Sequence, residues 1–409
     1  MMHYVIKIFL LVVFVNVSMA QTVNNFSKPV YFTKDNLIAD IEEYKKVITE
    51  LHVQPFDHIR RDSFVNHLES LKKDAVKYDI DELYLRLMQI NAELQDEHTF
   101  IFFSHINAFK YKCYWFDEGV YITETTAENA PYLFSKIIAV NNIPIEGVID
   151  RIGSIISDKN SASFKAYIPD YIFEPYALHG IGISASDTIM YTVVTTKNDT
   201  VTFSTSVNDT KNSQKILNRD DPDFLRNKKD GNYWYEYLNG CNAIYFKYSL
   251  AHNDTLYPFK AMLHYLMGDI LTKKPDKLII DLRDNTGGSI SMLSRLIGVL
   301  KESDIQKKNG IYVLVGRETF SAAVLNAITC KKILNAQIVG EETAGSVSHY
   351  GLPKFVFLPN TGLKMMYSTK FVPAEVNYQG SLQPDVIIKE KLSDYMLGVD
   401  AALQYSLSH

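Results

Sequence analysis

Two short stretches carry residue types that could do chemistry. The first, from Leu278 to Leu300, reads LIIDLRDNTGGSISMLSRLIGVL. An apolar run gives way to Asp284-Asn285-Thr286-Gly287-Gly288, and a new apolar pattern starts at once. Such a turn often presents backbone N–H groups to something negative, and glycine there lets a carbonyl approach the main chain closely. A plain tight turn accounts for one glycine more easily than for two. The second stretch, from Tyr312 to Ile328, reads YVLVGRETFSAAVLNAI and puts Ser321 where a helix of small and apolar residues begins. A serine there has an ordinary explanation as a cap or first-turn residue, and local sequence alone favours it. The chemical alternative makes the hydroxyl a nucleophile. The N–H of Ala322, with a second donor from Gly287 or Gly288, would then face the oxygen that becomes negative in acyl transfer. A nucleophilic serine also needs a base.

The elements that must position these turns can be read from periodicity. The C-terminal part is the most regular: strand CNAIYFKYS, a helix over 258–271, strand Leu278 to Leu282, the glycine turn and a helix to Leu300. Strand Ile311 to Val315, a helix from Ser321, strand AQIVG and the turn EETAGS follow. Strands alternating with helices imply βαβ units and mostly parallel strands, with sites at the strands' C-terminal ends. Upstream, Leu37, Ile41, Tyr44, Ile48 and Leu51 fall at helical steps after Thr33 or Asp35 as a cap. Phe64, Leu68, Leu71 and Ala75 give a second helix, and Leu83, Leu87, Ile90 and Leu94 a third. At LQDEHTFIFF the period turns from helical to extended, which puts His98 at a helix-to-strand corner. Residues 111–205 hold strand-like pieces (GVYITET, SKIIAVNNIPI, TIMYTVVTT, DTVTFSTSV) and a helix-like EGVIDRIGSII. The polar run Asn218 to Asn232 reads as a linker.

Composition sets limits. The chain has 409 residues, 46% hydrophobic and 22% charged, so it can bury a large core in more than one domain. A net charge of -5 without a block of Lys or Arg argues against nucleic acid. Residues Met1 to Ala20 (MMHYVIKIFLLVVFVNVSMA) combine Lys7, a short apolar core and small residues Ser18 and Ala20, the pattern of an export signal. The run is too short for a comfortable membrane span, and a mature chain starting near Gln21 outside the cytoplasm is expected, secreted or periplasmic. Cys113, Cys241 and Cys330 form no CxxC pair and have no His at ligand spacing, so a metal site is not expected and all three read as small core residues.

The segments DLRDNTGG, VLVGRETFSAAVLNA, IVGEETAGSVSHYG and QPDVIIK come in the order and at the spacing of the tail-specific (C-terminal processing) serine peptidases, which the chain resembles over 235–389. LQDEHTFIFF resembles that family's upstream D-x-H-T element. The resemblance implies an α/β fold: a crotonase/ClpP-like catalytic core (233–409), an N-terminal helical unit (21–105) and a small β-rich, reduced PDZ-like insertion (106–232). It implies a secreted serine peptidase acting on peptides or proteins, with Ser321 as nucleophile and no metal or organic cofactor. Where bacterial members carry a lysine base in T-x-G-K, this chain reads Thr343-Ala344-Gly345-Ser346. With Lys replaced by Ser346, the match shifts to the tricorn-core branch and to His98 as base. Lys331 and Lys332 read as solvated, Asp281 and Arg283 as a structural ion pair, and His349 as a pocket residue first and a base second. The orienting residue stays open between the Glu375 carboxylate and the Gln379 amide, which could orient an imidazole by hydrogen bonding, before Pro384-Asp385; Asp96 and Glu97 are nearby acids of a kind usually solvated. A catalytically silent ligand binder on the same scaffold and an esterase or other acyl hydrolase are the rival readings.

Overall fold

The computed structural model describes residues 32–75, 80–102, 111–157, 160–186, 188–206, 216–217, 225–227, 231–373 and 380–409. The export-type segment 1–20, most of the polar run 218–232, and both Glu375 and Gln379 lie outside the described residues.

Ile311–Val315 (IYVLV) is buried at every position, which an isolated amphipathic strand would not be. The reason is a sheet covered on both faces. Its strands lie in the order Val386–Ile387, Gln337–Gly340, Ile311–Val315, Lys277–Asp281, Ala243–Tyr248 and Tyr233–Leu238. The first five run parallel, and Tyr233–Leu238 pairs antiparallel at the edge. Alternate residues of each strand feed different layers. Ile244, Ile280, Val313 and Ile338 pack under helices Phe259–Lys273, Ser291–Leu300 and Ala322–Leu334. Tyr245, Ile279, Tyr312, Leu314 and Val339 pack under the C-terminal helix Ala401–Ser408 through Ala402 and Leu403.

The upstream helices form as their spacing implies. Lys34–Lys46 opens with a capping box in which the Thr33 hydroxyl accepts from the Asn36 N–H and the Asn36 side chain accepts from the Thr33 N–H. The helix then widens into a π-helical turn, Val47–Leu51, that ends at His52. Arg61–Asp74 and Ile80–Ala92 are the other two helices. Their apolar faces share one core with a second, antiparallel sheet ordered Tyr111–Phe116, Gly119–Thr126, Lys136–Val140, Thr188–Val194 and Thr200–Ser206.

Two helices between those strands, Ser161–Ile172 and Pro175–Gly180, were not expected from the sequence. Pro169 inside the first and Pro175 at the start of the second break the pattern of strong helix formers. Of the cysteines, Cys330 is buried and Cys113 half-buried, but Cys241 is exposed, which corrects the expectation that all three are core. Cys241 sits in a one-turn 3-10 segment, Asn239–Cys241, between the edge strand Tyr233–Leu238 and its neighbour Ala243–Tyr248, where no layer covers it.

A small three-stranded sheet brings the two halves of the chain together. Phe100–Phe102 pairs antiparallel with Lys364–Tyr367, which pairs in turn with Lys354–Phe357. The corner carrying His98 is thereby fixed against the C-terminal half.

Candidate active site

Asn285 organises the glycine turn. Its Nδ2 donates to the Tyr248 carbonyl at 2.7 Å, and its main-chain carbonyl accepts from the Phe320 N–H at 2.9 Å. Its Oδ1 accepts from the Gly287 N–H at 2.9 Å. That bond spends one of the two glycine donors. The Gly288 N–H takes no part in the ladder with Ala251, in which the Ala251 N–H donates to the Gly287 carbonyl at 2.8 Å and the Ser289 N–H to the Ala251 carbonyl at 2.7 Å.

Ser321 stands at the head of helix Ala322–Leu334 with φ 51° and ψ −123°, and its side chain makes no capping bond. A non-glycine residue at positive φ is strained, and such strain collects at functional sites. The ordinary explanation of the serine as a cap is therefore not what the hydroxyl does. Ala322 is the first helical residue, so its N–H has no partner one turn back. Gly287, at φ 108°, faces both: a Cβ placed there would lie 2.8 Å from Ser321 Cβ and 3.2 Å from the Ala322 nitrogen. The turn before Ser321 is held by Thr319, whose Oγ1 accepts from the Gly316 N–H at 2.9 Å and donates to the Leu282 carbonyl at 2.8 Å.

The Thr343-Ala344-Gly345-Ser346 turn lies against this segment. The Gly345 N–H donates to the Thr319 carbonyl at 3.1 Å, and a Cβ on Gly345 would come within 2.9 Å of the Ser321 nitrogen. Ser346 reaches the upstream corner: its N–H donates to Glu97 Oε2 at 3.0 Å. Asp96 and Glu97, expected to be solvated, are instead buried, with side chains 2% and 6% exposed. The pairing of Phe100–Phe102 with the C-terminal half closes the corner over them.

His98 is 4% exposed, and neither ring nitrogen has a hydrogen-bond partner. Its ring packs on Phe320, the residue before Ser321, at 4.7 Å between centroids, and stacks on His349 at 4.9 Å. Glu97 Oε1 lies 3.6 Å from His98 Nδ1 and 3.9 Å from His349 Nδ1. Burial pushes His98 down to about 3, the neighbouring His349 imidazole pushes the same way, and the Asp96 carboxylate and the Tyr350 main chain oppose both. His349 is lowered too, chiefly by burial; its Nδ1 lies 2.8 Å from the Ser346 carbonyl, to which it donates.

Glu97, His98 and His349 offer ligand atoms within 4.8 Å of one another. The two rings are nearly parallel, 19° apart, so their in-plane lone pairs do not converge on one point, and the set does not fit a tetrahedral ion as it stands.

Of the other residues singled out in the sequence, Asp281 and Arg283 do pair, at 2.6 Å. Arg283 also pairs with Asp400 at 2.7 Å, which ties the glycine turn to the last helix. Lys331 pairs with Asp385, away from the turn that carries Ser346, and Lys332 is exposed. His52, which the sequence reading passed over, is buried and bonded to Asp96, Nε2 to Oδ2 at 2.7 Å. Only a lone histidine after a helical period marks it in the sequence.

Residues 254–388 match the family model "Peptidase family S41". No curated protein matches the chain in sequence. Among solved structures, mature CPAF complexed with lactacystin aligns at TM-score 0.61 and 12% identity, covering 91% of this chain and 97% of that one, a shared fold. Looser similarities join the chain to a putative peptidase from Parabacteroides merdae (TM-score 0.48, 16% identity, 92% and 96% covered) and to the photosystem II D1 C-terminal processing protease (TM-score 0.42, 15% identity, 91% and 99%).

Proposed function

We propose that the chain, whose residues 254–388 match the family model of peptidase family S41, is a serine-type peptidase of that family in which Ser321 is the nucleophile, His98 the general base and the N–H groups of Gly288 and Ala322 the oxyanion donors. One juxtaposition carries this reading. A serine at positive φ, not spent on capping, follows directly on the phenylalanine against which a buried, unpartnered imidazole packs.

Ser321 Oγ attacks the peptide carbonyl carbon while a His98 nitrogen takes the hydroxyl proton. The carbonyl oxygen becomes an alkoxide held by the two amides, whose partial charge is already aligned there. Collapse breaks the C–N bond, and His98 returns its proton to the leaving amine. Water then attacks the acyl ester while His98 accepts its proton; collapse breaks the bond from carbon to Ser321 Oγ, His98 gives that proton to Oγ, and the carboxylic acid leaves. A neutral imidazole suits the first step, and burial keeps His98 neutral. The Gly287 N–H is less suited to the oxyanion because Asn285 already holds it.

The crotonase/ClpP-like core and the reduced PDZ-like insertion belong to the same proposal, supported by the parallel sheet and by the separate antiparallel one. So does export, read from Met1 to Ala20: the secreted or periplasmic chain is expected to start near Gln21, which N-terminal sequencing checks.

A fluorophosphonate probe tests the chemistry. The folded protein is expected to be labelled, Ser321→Ala to lose the label completely and His98→Ala to slow labelling at least a hundredfold. A folded wild-type chain that neither reacts with the probe nor cleaves a denatured protein substrate would leave the silent-binder reading in its place.

A further inference from the structure

We propose that His52, through Asp96, is the residue that positions the base, an inference that rests on the assignment of His98 above. The chain of contacts is continuous. The Gln54 N–H donates to His52 Nδ1 at 3.1 Å, so Nδ1 holds a lone pair and the proton of the neutral ring sits on Nε2. That Nε2–H donates to Asp96 Oδ2 at 2.7 Å. The other oxygen, Oδ1, accepts from the His98 main-chain N–H at 2.9 Å. Thr99 Oγ1 donates to Oδ2 at 2.6 Å and accepts from the Ser368 N–H at 3.1 Å, which anchors the same carboxylate to the C-terminal half. Burial alone would raise the Asp96 carboxyl; the hydrogen bonds from His52 and Thr99 more than offset it and hold the group ionised.

His98 itself has no hydrogen bond from either ring nitrogen, so its place is set by packing and by its main chain. Asp96 fixes that main chain, and its charge, together with the Tyr350 main chain, opposes the depression of the His98 proton affinity. His52 fixes Asp96. The π-helical turn Val47–Leu51 delivers it: the widened turn ends at His52, whose own N–H closes back on the Val47 carbonyl at 3.1 Å. Single π-turns inside helices often mark functional positions. With a side chain 0% exposed, His52 is out of reach of a substrate, so its part is positioning.

The test compares His52→Leu, which removes the donor, with His52→Gln, whose amide N–H can still reach Asp96. In peptide hydrolysis by the full chain, His52→Leu is expected to lose tenfold to a hundredfold in kcat with KM within about twofold, because a misplaced base affects the transition state and not substrate binding. His52→Gln is expected to recover most of the loss. Equal kcat in wild type and His52→Leu, or no recovery in a His52→Gln chain that melts like the wild type, overturns the proposal. Histidine-labelled NMR spectra read it independently of turnover. The His98 ring signals should move in His52→Leu and return in His52→Gln; unchanged signals in both overturn it. Should the wild type prove inert to probe and substrate, the peptidase reading falls, and these spectra alone decide whether His52 places the His98 ring.

Discussion

At the scale of the residue, His98, the proposed base, is held in the form that a base needs. An imidazole ordinarily titrates near 6.5; His98 is pushed to about 3 by burial and by the facing His349 ring. It therefore stays neutral well below pH 6, and kcat/KM is expected to remain level from pH 8 to about 5. An acid limb centred near 6.5 would rule out a buried His98 as the titrating base. The same shift bears on stability. Between about pH 3 and 6.5 the unfolded chain binds a proton that the folded chain does not, so this contribution to stability is present above that window and is lost on acidification through it. Urea midpoints should fall from pH 7 to pH 4, and less steeply in His98→Phe. The cost of a low proton affinity falls on the transition state, where an imidazolium must form. Glu97, 3.6 Å from Nδ1, is placed to offset it. Glu97→Gln keeps an oxygen for the Ser346 N–H and removes the charge. An expected loss of about tenfold in kcat with KM unchanged tests the role, and wild-type kcat in that variant would hand it to a residue outside the described segments.

At the scale of the element, two turns at the ends of neighbouring parallel strands, Lys277–Asp281 and Ile311–Val315, meet because those strands pair in register, Leu278 with Ile311 through Asp281 with Leu314. Glycine at 287 is what lets them meet so closely. Gly287→Ala would force a side chain into φ 108° and bring its Cβ to 2.8 Å from Ser321 Cβ. The expected result is a loss of at least a hundredfold in probe labelling with the circular-dichroism spectrum retained; labelling within threefold of wild type would mean the site does not depend on this approach. These turns were legible in the sequence because their cause is local: apolar run, polar break, small residues, helix. The role of Asp96 and Glu97 was not, since nothing local says that a strand some 260 residues later will cover them. His52 was hidden for the same reason. Glu375 and Gln379, offered by sequence for the orienting role, lie outside the described residues, and the Ser346 turn instead contacts Glu97.

At the scale of the whole molecule, the proposed nucleophile Ser321 and the proposed base His98 come from different halves of the chain, so a site built from them exists only while the layers stay docked. Arg317, four residues before Ser321, spans them. It pairs with Glu341 at 2.9 Å, donates to the Trp115 carbonyl of the antiparallel sheet, and lies over the Tyr114 ring at 4.7 Å. Tyr114 OH in turn donates to Glu341 at 3.1 Å, and the Asn160 amide donates to the Ala344 carbonyl at 2.7 Å. The exposed pair of Asp117 with Lys389 crosses the same seam but is worth little in water. Arg317 is 6% exposed, so Arg317→Met would leave Glu341 without its charge partner and the Trp115 carbonyl without a donor, a cost of about 3–5 kcal/mol. The loss belongs to the seam, not to either sheet. Hydrogen exchange should therefore quicken in Tyr111–Phe116 and Gly119–Thr126 while Ile311–Val315 stays protected, and probe labelling of Ser321 should fall with it. Uniform acceleration in all three strands would mean that the layers unfold as one unit, and that Arg317 stabilises the molecule as a whole and not the docking that assembles the site.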